Sequence, residues 1–315
     1  MKIVILDAAS LGEDIDLSPI LHLGETTVYE TNSPETLASC IGDAEVVVSN
    51  KSKLTAQVLE QVPNVKLICV TATGFDTVDT KYCRAHGIGV CNVPGYSTDS
   101  VAQLTVALAL NLATHIKEYR EFVHSGGYSA GNIANKLSPC WHELTGKTWG
   151  IVGGGNIGNR VAKIAQALGC HVKMYRRNPD SEFETVDLNT LCEESDILSI
   201  HLALNDQTRG MVGDAQIQKM KKNAIVINVA RGAVTDEEAL AQAIEEERIG
   251  GLGVDVYSAE PFGKDHPFTR ILDRDNVCLT PHMAWGSIES RNRCIAKVAE
   301  NIAAFYRGES LNRVE

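Results

Sequence analysis

Three apolar segments in the second half of the chain end in residues of complementary chemistry. Ile225 to Ala230 runs into Arg231-Gly232, Gly251 to Tyr257 leads to Glu260-Pro261, and Val277 to Thr280 ends in Pro281-His282. If the three segments are strands of one parallel sheet, their carboxyl ends share an edge, which is where such sheets collect ligand groups. An arginine there can grip a carboxylate bidentately and polarise a carbonyl. A histidine can give the carbonyl a proton, and a glutamate can orient the imidazole and favour its charged form. Together the set suits a 2-oxo acid. Taken singly, each residue reads as ordinary: a histidine after proline is more often a structural hydrogen-bond partner, a glutamate before proline a solvated turn, and an arginine after a strand a surface charge.

Reducing a ketone also requires a hydride source, and the stretch from Leu144 to Asn178 has the order that a dinucleotide site needs. Lys147 to Val152 reads as a buried strand. Gly153-Gly154-Gly155-Asn156-Ile157-Gly158 follows without a spacer, and Asn159 to Leu168 has helical apolar spacing. Gly153 allows the tight turn, Gly155 lets a pyrophosphate approach the backbone, and Gly158 lets the helix pack close to the strand. Gly169 stops the helix, and His171 to Tyr175 reads as the next strand of a βαβ unit. A site built for NAD places an acidic residue at the end of that strand, about 20 residues beyond the glycines, to read the ribose 2′-OH. Here Arg176, Arg177 and Asn178 stand instead. Guanidiniums suit a 2′-phosphate through charge-assisted bonds, so NADP(H) is the expected cofactor and NAD(H) the alternative.

A chain of 315 residues is comfortable for two domains. No apolar run reaches membrane-spanning length, and MKIVILDAAS enters a strand-like segment with no cationic leader, which together point to the cytoplasm and away from a membrane partner. The nine cysteines are scattered singly with no C-x-x-C pair. They read as buried thiols in a reducing compartment rather than disulfides or a metal site. A net charge of −11 argues against nucleic acid as a partner, so an anionic ligand must be met by local cations.

The elements that must carry these residues alternate along the chain. Apolar strands are expected at Lys2 to Asp7, Glu45 to Ser49, Lys66 to Thr71 and Gly89 to Asn92, with helices at Pro34 to Ile41 and Thr55 to Val62. Such alternation means α/β architecture, a parallel sheet with helices on its faces. Lys51 and Thr73-Gly74 lie at the strand ends of this first sheet, where a glycine after a buried strand can offer backbone N–H groups to a substrate carboxylate. Asn92 to Gly95 marks a hinge. One long helix is expected over Val101 to Arg120, then a loop from Ser125 through Trp141. The second sheet begins with the glycine motif and continues through Ile197 to Leu202, Ala224 to Val229, Gly251 to Val256 and Asn276 to Thr280, with helices at Asp187 to Glu193, Ala215 to Lys219 and Asp236 to Glu246. A helix from Ser287 to Tyr306 is expected to cross back onto the first domain.

Over essentially its full length the chain resembles the D-2-hydroxyacid dehydrogenases. The motifs that carry the likeness are Thr73-Gly74-Phe75-Asp76 with Val78-Asp79, Asn92-Val93-Pro94, Leu144 to Gly158, Asn228-Val229-Ala230-Arg231-Gly232, Asp255-Val256 with Glu260-Pro261, and Thr280-Pro281-His282. The resemblance implies two doubly wound parallel-sheet domains. These are a flavodoxin-like substrate domain over 1–97 with 287–315, and a Rossmann-type nucleotide domain over 98–286, with the active site in the cleft. It further implies Arg231 for the substrate carboxylate, His282 as acid and base, Glu260 as its partner, and Asp255 for the nicotinamide carboxamide. Asn156 and Ile157 then meet the pyrophosphate, and Leu202, Val229 and Ala230 line the cofactor. Asn50-Lys51, Gly95-Tyr96-Ser97-Thr98 with Ser100-Val101-Ala102-Gln103, and Ala284-Trp285 are most similar to glycerate dehydrogenases that reduce hydroxypyruvate or glyoxylate, which brings Lys51, Thr73, Gly74 and Trp285 to the substrate. The likeness also implies a homodimer formed through the nucleotide domain, by way of the long helix and the loop after it. A dehydrogenase for a bulkier or phosphorylated acid, and a non-catalytic nucleotide-sensing protein of the same fold, are the rival expectations. Arg176 departs from the family pattern, in which NAD-dependent members carry Asp.

Overall fold

The computed structural model describes residues 1–178 and 182–315. By internal contacts the chain divides into two units, Met1–Ser97 with Trp285–Glu315, and Thr98–Ala284.

In the first unit β1 (Lys2–Ile5), β2 (Glu25–Val28), β3 (Val46–Ser49), β4 (Leu67–Val70) and β5 (Gly89–Cys91) form a sheet of order β2-β1-β3-β4-β5, with every pair parallel. The central strands are buried on both sides, and the strand period of two divides their side chains between two cores. Ile3, Ile5, Val46, Val48, Leu67 and Cys69 go to one face, and Val4, Val47, Ile68 and Val70 to the other. The C-terminal helix Ile288–Tyr306 covers the former face with Cys294, Ile295, Val298 and Ile302, a helical stripe. Its Ser287 caps the N-terminus by accepting from Ser290 N–H, and its buried Asn301 donates to the Asn92 carbonyl at 2.9 Å.

In the second unit β6 (Thr148–Val152), β7 (His171–Tyr175), β8 (Glu184–Thr185), β9 (Ile197–Ile200), β10 (Ile225–Asn228), β11 (Gly251–Val254) and β12 (Val277–Leu279) form a sheet of order β12-β11-β10-β9-β6-β7-β8, also parallel throughout. Both orders are doubly wound, reversing direction between β1 and β3 in the first sheet and between β6 and β9 in the second. Those reversal points open the crevices in which such folds hold ligands. The chain enters the second unit and leaves it at one place, since Ser100 Oγ donates to the Ala284 carbonyl at 2.6 Å.

Several elements differ from expectation. The helix expected over Val101 to Arg120 is two helices, Thr98–Thr114 and Ile116–His124, because His115 adopts a left-handed backbone with φ of 53°. Its ring meets Glu118 Oε1 at 2.8 Å and steadies the turn. The loop after it contains a short helix, Gly127–Ala130. The edge strands β2 and β8 were not expected, being short, rich in Glu and Thr, and largely exposed. Helix Thr80–Ala85, also unexpected, starts where Asp79 accepts the Tyr82 N–H at 2.9 Å. No helix among the described residues is long and apolar enough to cross a membrane.

Candidate active site

The glycine motif links β6 to the helix Asn156–Ala167, which starts three residues earlier than its apolar spacing shows. That early start puts Asn156, Ile157 and Gly158 in the first turn, whose N–H groups have no partner within the helix. Gly153 turns the chain with φ of 106°. A side chain on Gly158 would lie 2.0 Å from the Gly153 carbonyl oxygen, so only glycine lets the helix approach the strand this closely. Gly155 differs: a Cβ there would meet nothing within 4 Å, so its missing side chain serves no internal contact. An exposed turn that is bare without any packing reason, at the positive end of a twelve-residue helix, fits a pyrophosphate.

At the end of β7 the Arg176 side chain lies across the turn. A Cβ on Gly154 would fall 3.0 Å from its Cδ and 3.3 Å from its Nε. Arg177 and Asn178 beside it are exposed. The position that an NAD site gives to a carboxylate thus holds a guanidinium resting on the glycine loop. On the other side of β6, β9 ends at His201 and Leu202. Ser199 Oγ takes a hydrogen bond from Trp149 Nε1 at 2.9 Å and meets His201 Nε2 at 3.0 Å, which leaves His201 Nδ1 buried without a partner among the described residues. Burial lowers this imidazole to about 3. Leu202 and Ala230 pack half-buried on the core of the unit, and Val229 is buried.

The three chemistry-bearing arms come together by specific contacts. The arm after β10 is shaped by Asn228, whose amide donates to the Arg231 carbonyl and whose oxygen accepts the Ala230 N–H, both at 3.0 Å. Gly232 lies so near the arm after β11 that a Cβ would sit 2.1 Å from the Ser258 nitrogen and the Tyr257 carbonyl carbon. On that second arm Glu260 Oε1 accepts the Tyr257 N–H at 3.0 Å. Its Oε2 is 2.6 Å from His282 Nδ1 on the arm after β12. Tyr257 Oη donates to the Thr280 carbonyl at 2.9 Å and closes the set.

His282 has φ of 53°, a backbone state that costs a non-glycine residue energy and persists only where its surroundings enforce it. Asp255 supplies the enforcement. It is fully buried, and its Oδ1 accepts from Thr280 Oγ1 at 2.6 Å and from Met283 N–H at 2.9 Å, while Oδ2 accepts from Ala284 N–H at 2.8 Å. Burial raises its carboxyl above the ordinary range, against those hydrogen bonds. The resemblance gives Asp255 to the nicotinamide carboxamide, and the same carboxylate braces the His282 turn.

In the first unit, the strand end at Lys51 is already occupied from within. Asp7, at the end of β1, accepts the N–H groups of Asn50, Lys51 and Ser52 at 2.8, 2.7 and 2.9 Å. The Thr73 hydroxyl is committed to the Val93 carbonyl at 3.0 Å, whereas the Gly74 N–H makes no hydrogen bond among the described residues. Trp285 packs half-buried on the core of this unit, edge-on to Tyr96 with ring centres 6.4 Å apart.

Sequence reasoning did not single out Asp7 or His201. The nearest signal was chain position, since Asp7 and His201 both follow a buried strand.

A family model described as D-isomer specific 2-hydroxyacid dehydrogenase, NAD binding domain, matches residues 106–284. A hydroxypyruvate reductase of Blautia hydrogenotrophica is 36% identical over all of this chain and 99% of its own length. Among solved structures, an acyclic imino acid reductase in complex with NADPH and D-Arg superposes with a TM-score of 0.90 at 27% identity over the whole of both chains. A D-lactate dehydrogenase from Aquifex aeolicus, complexed with NAD and lactic acid, does so with a TM-score of 0.87 at 28% identity over 98% of this chain and 96% of its own.

Proposed function

Because the chain belongs to the D-isomer specific 2-hydroxyacid dehydrogenases, we propose that it reduces a small 2-oxo acid of the hydroxypyruvate or glyoxylate kind to the D-2-hydroxy acid, using NADPH in preference to NADH. The observation that carries the reading is the 2.6 Å contact of His282 Nδ1 with Glu260, on an arm whose backbone touches that of Arg231-Gly232. With Nδ1 engaged, Nε2 is the ring atom that presents the proton to the substrate carbonyl. Arg231 clamps the carboxylate next to that carbonyl and draws electron density toward its oxygen. A bound reduced nicotinamide supplies the hydride to the 2-oxo carbon. Support for NADPH comes from the Arg176 guanidinium lying on the glycine loop.

A panel of 2-oxo acids with both reduced cofactors tests the reading. Hydroxypyruvate or glyoxylate is expected to turn over, with kcat/KM about tenfold or more in favour of NADPH. His282→Gln should lower kcat about 10²–10⁴-fold with nucleotide Kd unchanged. Turnover confined to bulky or phosphorylated acids would replace the substrate assignment. A wild-type kcat in His282→Gln would remove the histidine from the chemistry, and a tenfold preference for NADH would remove the cofactor assignment.

The second unit also exposes Ile116, Val123, Tyr128, Ile133, Leu137 and Trp141 within 26 consecutive residues, with Ile133 at 74% and Leu137 at 76%. They lie on helix Ile116–His124 and the segment after it, and we assign that stretch to contact with a second copy of the chain. Light scattering should give the mass of a dimer, falling toward 34.1 kDa in the Ile133→Asp, Leu137→Asp double variant; a monomeric wild type would refute this.

A further inference from the structure

We propose that Glu237 and His266 are positioning residues that set the His282 imidazole by fixing the loop that carries Glu260. The inference rests on the catalytic reading of His282 above.

Glu237 is the first residue of helix Glu237–Glu245 and only 8% exposed. An acidic residue in a first helical turn ordinarily faces water and complements the helix dipole. This one is turned inward, and three donors from a single loop converge on it. Oε1 accepts the Ser258 N–H at 2.8 Å, while Oε2 accepts from the Ser258 hydroxyl and from His266 Nε2, the latter at 3.1 Å. The His266 tautomer follows from its other nitrogen. Nδ1 accepts the Phe268 N–H at 3.2 Å, so the ring proton sits on Nε2 and points at Glu237.

One buried carboxylate therefore ties the loop at residue 258 and again at residue 266, and Glu260 lies between the ties. Around the same loop, Tyr257, Phe262, His266 and Phe268 pack ring against ring with centres 4.7–6.2 Å apart. From Glu237 the hydrogen bonds run through Ser258 and the adjoining Tyr257 N–H to Glu260, and from Glu260 to His282. Loosening the ties lets the loop drift by a fraction of an ångström, and misplacement by about 1 Å of a group that must align with a reacting atom costs on the order of 10²-fold in rate. The glycine turn after β6 and Arg176 after β7 lie on other arms of the sheet, so nucleotide affinity should change little.

A double-mutant cycle in the full-length enzyme, with hydroxypyruvate and the preferred reduced nicotinamide, separates positioning from general stability. Glu237→Gln should lower kcat about tenfold with nucleotide Kd within twofold of wild type. In a Glu260→Ala background the same substitution should cost less than about twofold, since the group it positions is gone. His266→Gln, which keeps a donor for Glu237, should retain most of the activity that His266→Leu loses. Ser258→Ala, a change on an exposed residue, repeats the cycle if Glu237→Gln does not fold. Equal losses in both backgrounds, or a wild-type kcat in Glu237→Gln, overturn the proposal. A wild-type kcat in His282→Gln fails the catalytic reading instead, whatever the cycle gives.

Discussion

The two sheets are wound alike, yet their reversal points are finished in opposite ways. Behind β6 the chain turns on glycine and leaves the first turn of a long helix bare, with open space beside Gly155. Behind β1 it places Asp7, whose carboxylate reaches across to β3 and takes three successive N–H groups together with the Ser52 hydroxyl. Both points offer a row of backbone donors suited to an anion. One row is left bare; the other is filled by the protein's own anion and becomes part of the scaffold. Topology thus fixes where a doubly wound unit can bind, and the side chain at the strand end decides whether it does.

A reciprocal pair of substitutions should separate the two ends sharply. Gly155→Ala adds a Cβ that meets nothing within 4 Å, so stability should fall by no more than about 1 kcal/mol while NADPH Kd rises about tenfold or more. Asp7→Asn keeps the shape but turns an amide donor toward donors, and should lower unfolding stability by about 1–3 kcal/mol with NADPH Kd unaltered. Urea unfolding and nucleotide titration of both variants check the pair, and a loss of NADPH affinity in Asp7→Asn would erase the contrast.

A smaller effect belongs to His201, the polar group beside the glycine turn that the fold leaves unpartnered. Burial lowers its imidazole from 6.5 to about 3, so the unfolded chain takes up a proton that the folded protein refuses. Stability from this residue is therefore complete above pH 6.5 and is lost progressively as pH falls from there toward 3. Between pH 6.5 and 5.5 the loss should be about 1 kcal/mol, and it should vanish in His201→Leu. Parallel stability curves for the two proteins over that interval would show that His201 does not titrate as described.

Much of this was legible in the sequence because the signals are local. Strands such as Val46–Ser49 and Ile197–Ile200 are short apolar runs, and the glycine motif sits directly between a strand and a helix. Arg231, Glu260 and His282 were singled out because each stands just beyond such a run. What stayed hidden depends on tertiary partners. Nothing near His115 in sequence resembles a helix breaker, since neither glycine nor proline stands there. Asp7 meets its donors 43 to 45 residues away. Glu237, followed by a second glutamate at the start of an amphipathic helix, looks like any solvated helix-starting acid until the loop bearing Ser258 and His266 is folded over it.

The hydrogen bond from Ser100 to Ala284 places the ends of the second unit side by side. Residues 98–284 are in that sense a guest, inserted into a host whose own fold is interrupted after Ser97 and resumes at Trp285. The guest is one uninterrupted polypeptide with adjoining ends, the arrangement that best tolerates excision. The host is encoded in two pieces, and its sheet lacks the helix covering one face until Ile288–Tyr306 has been made.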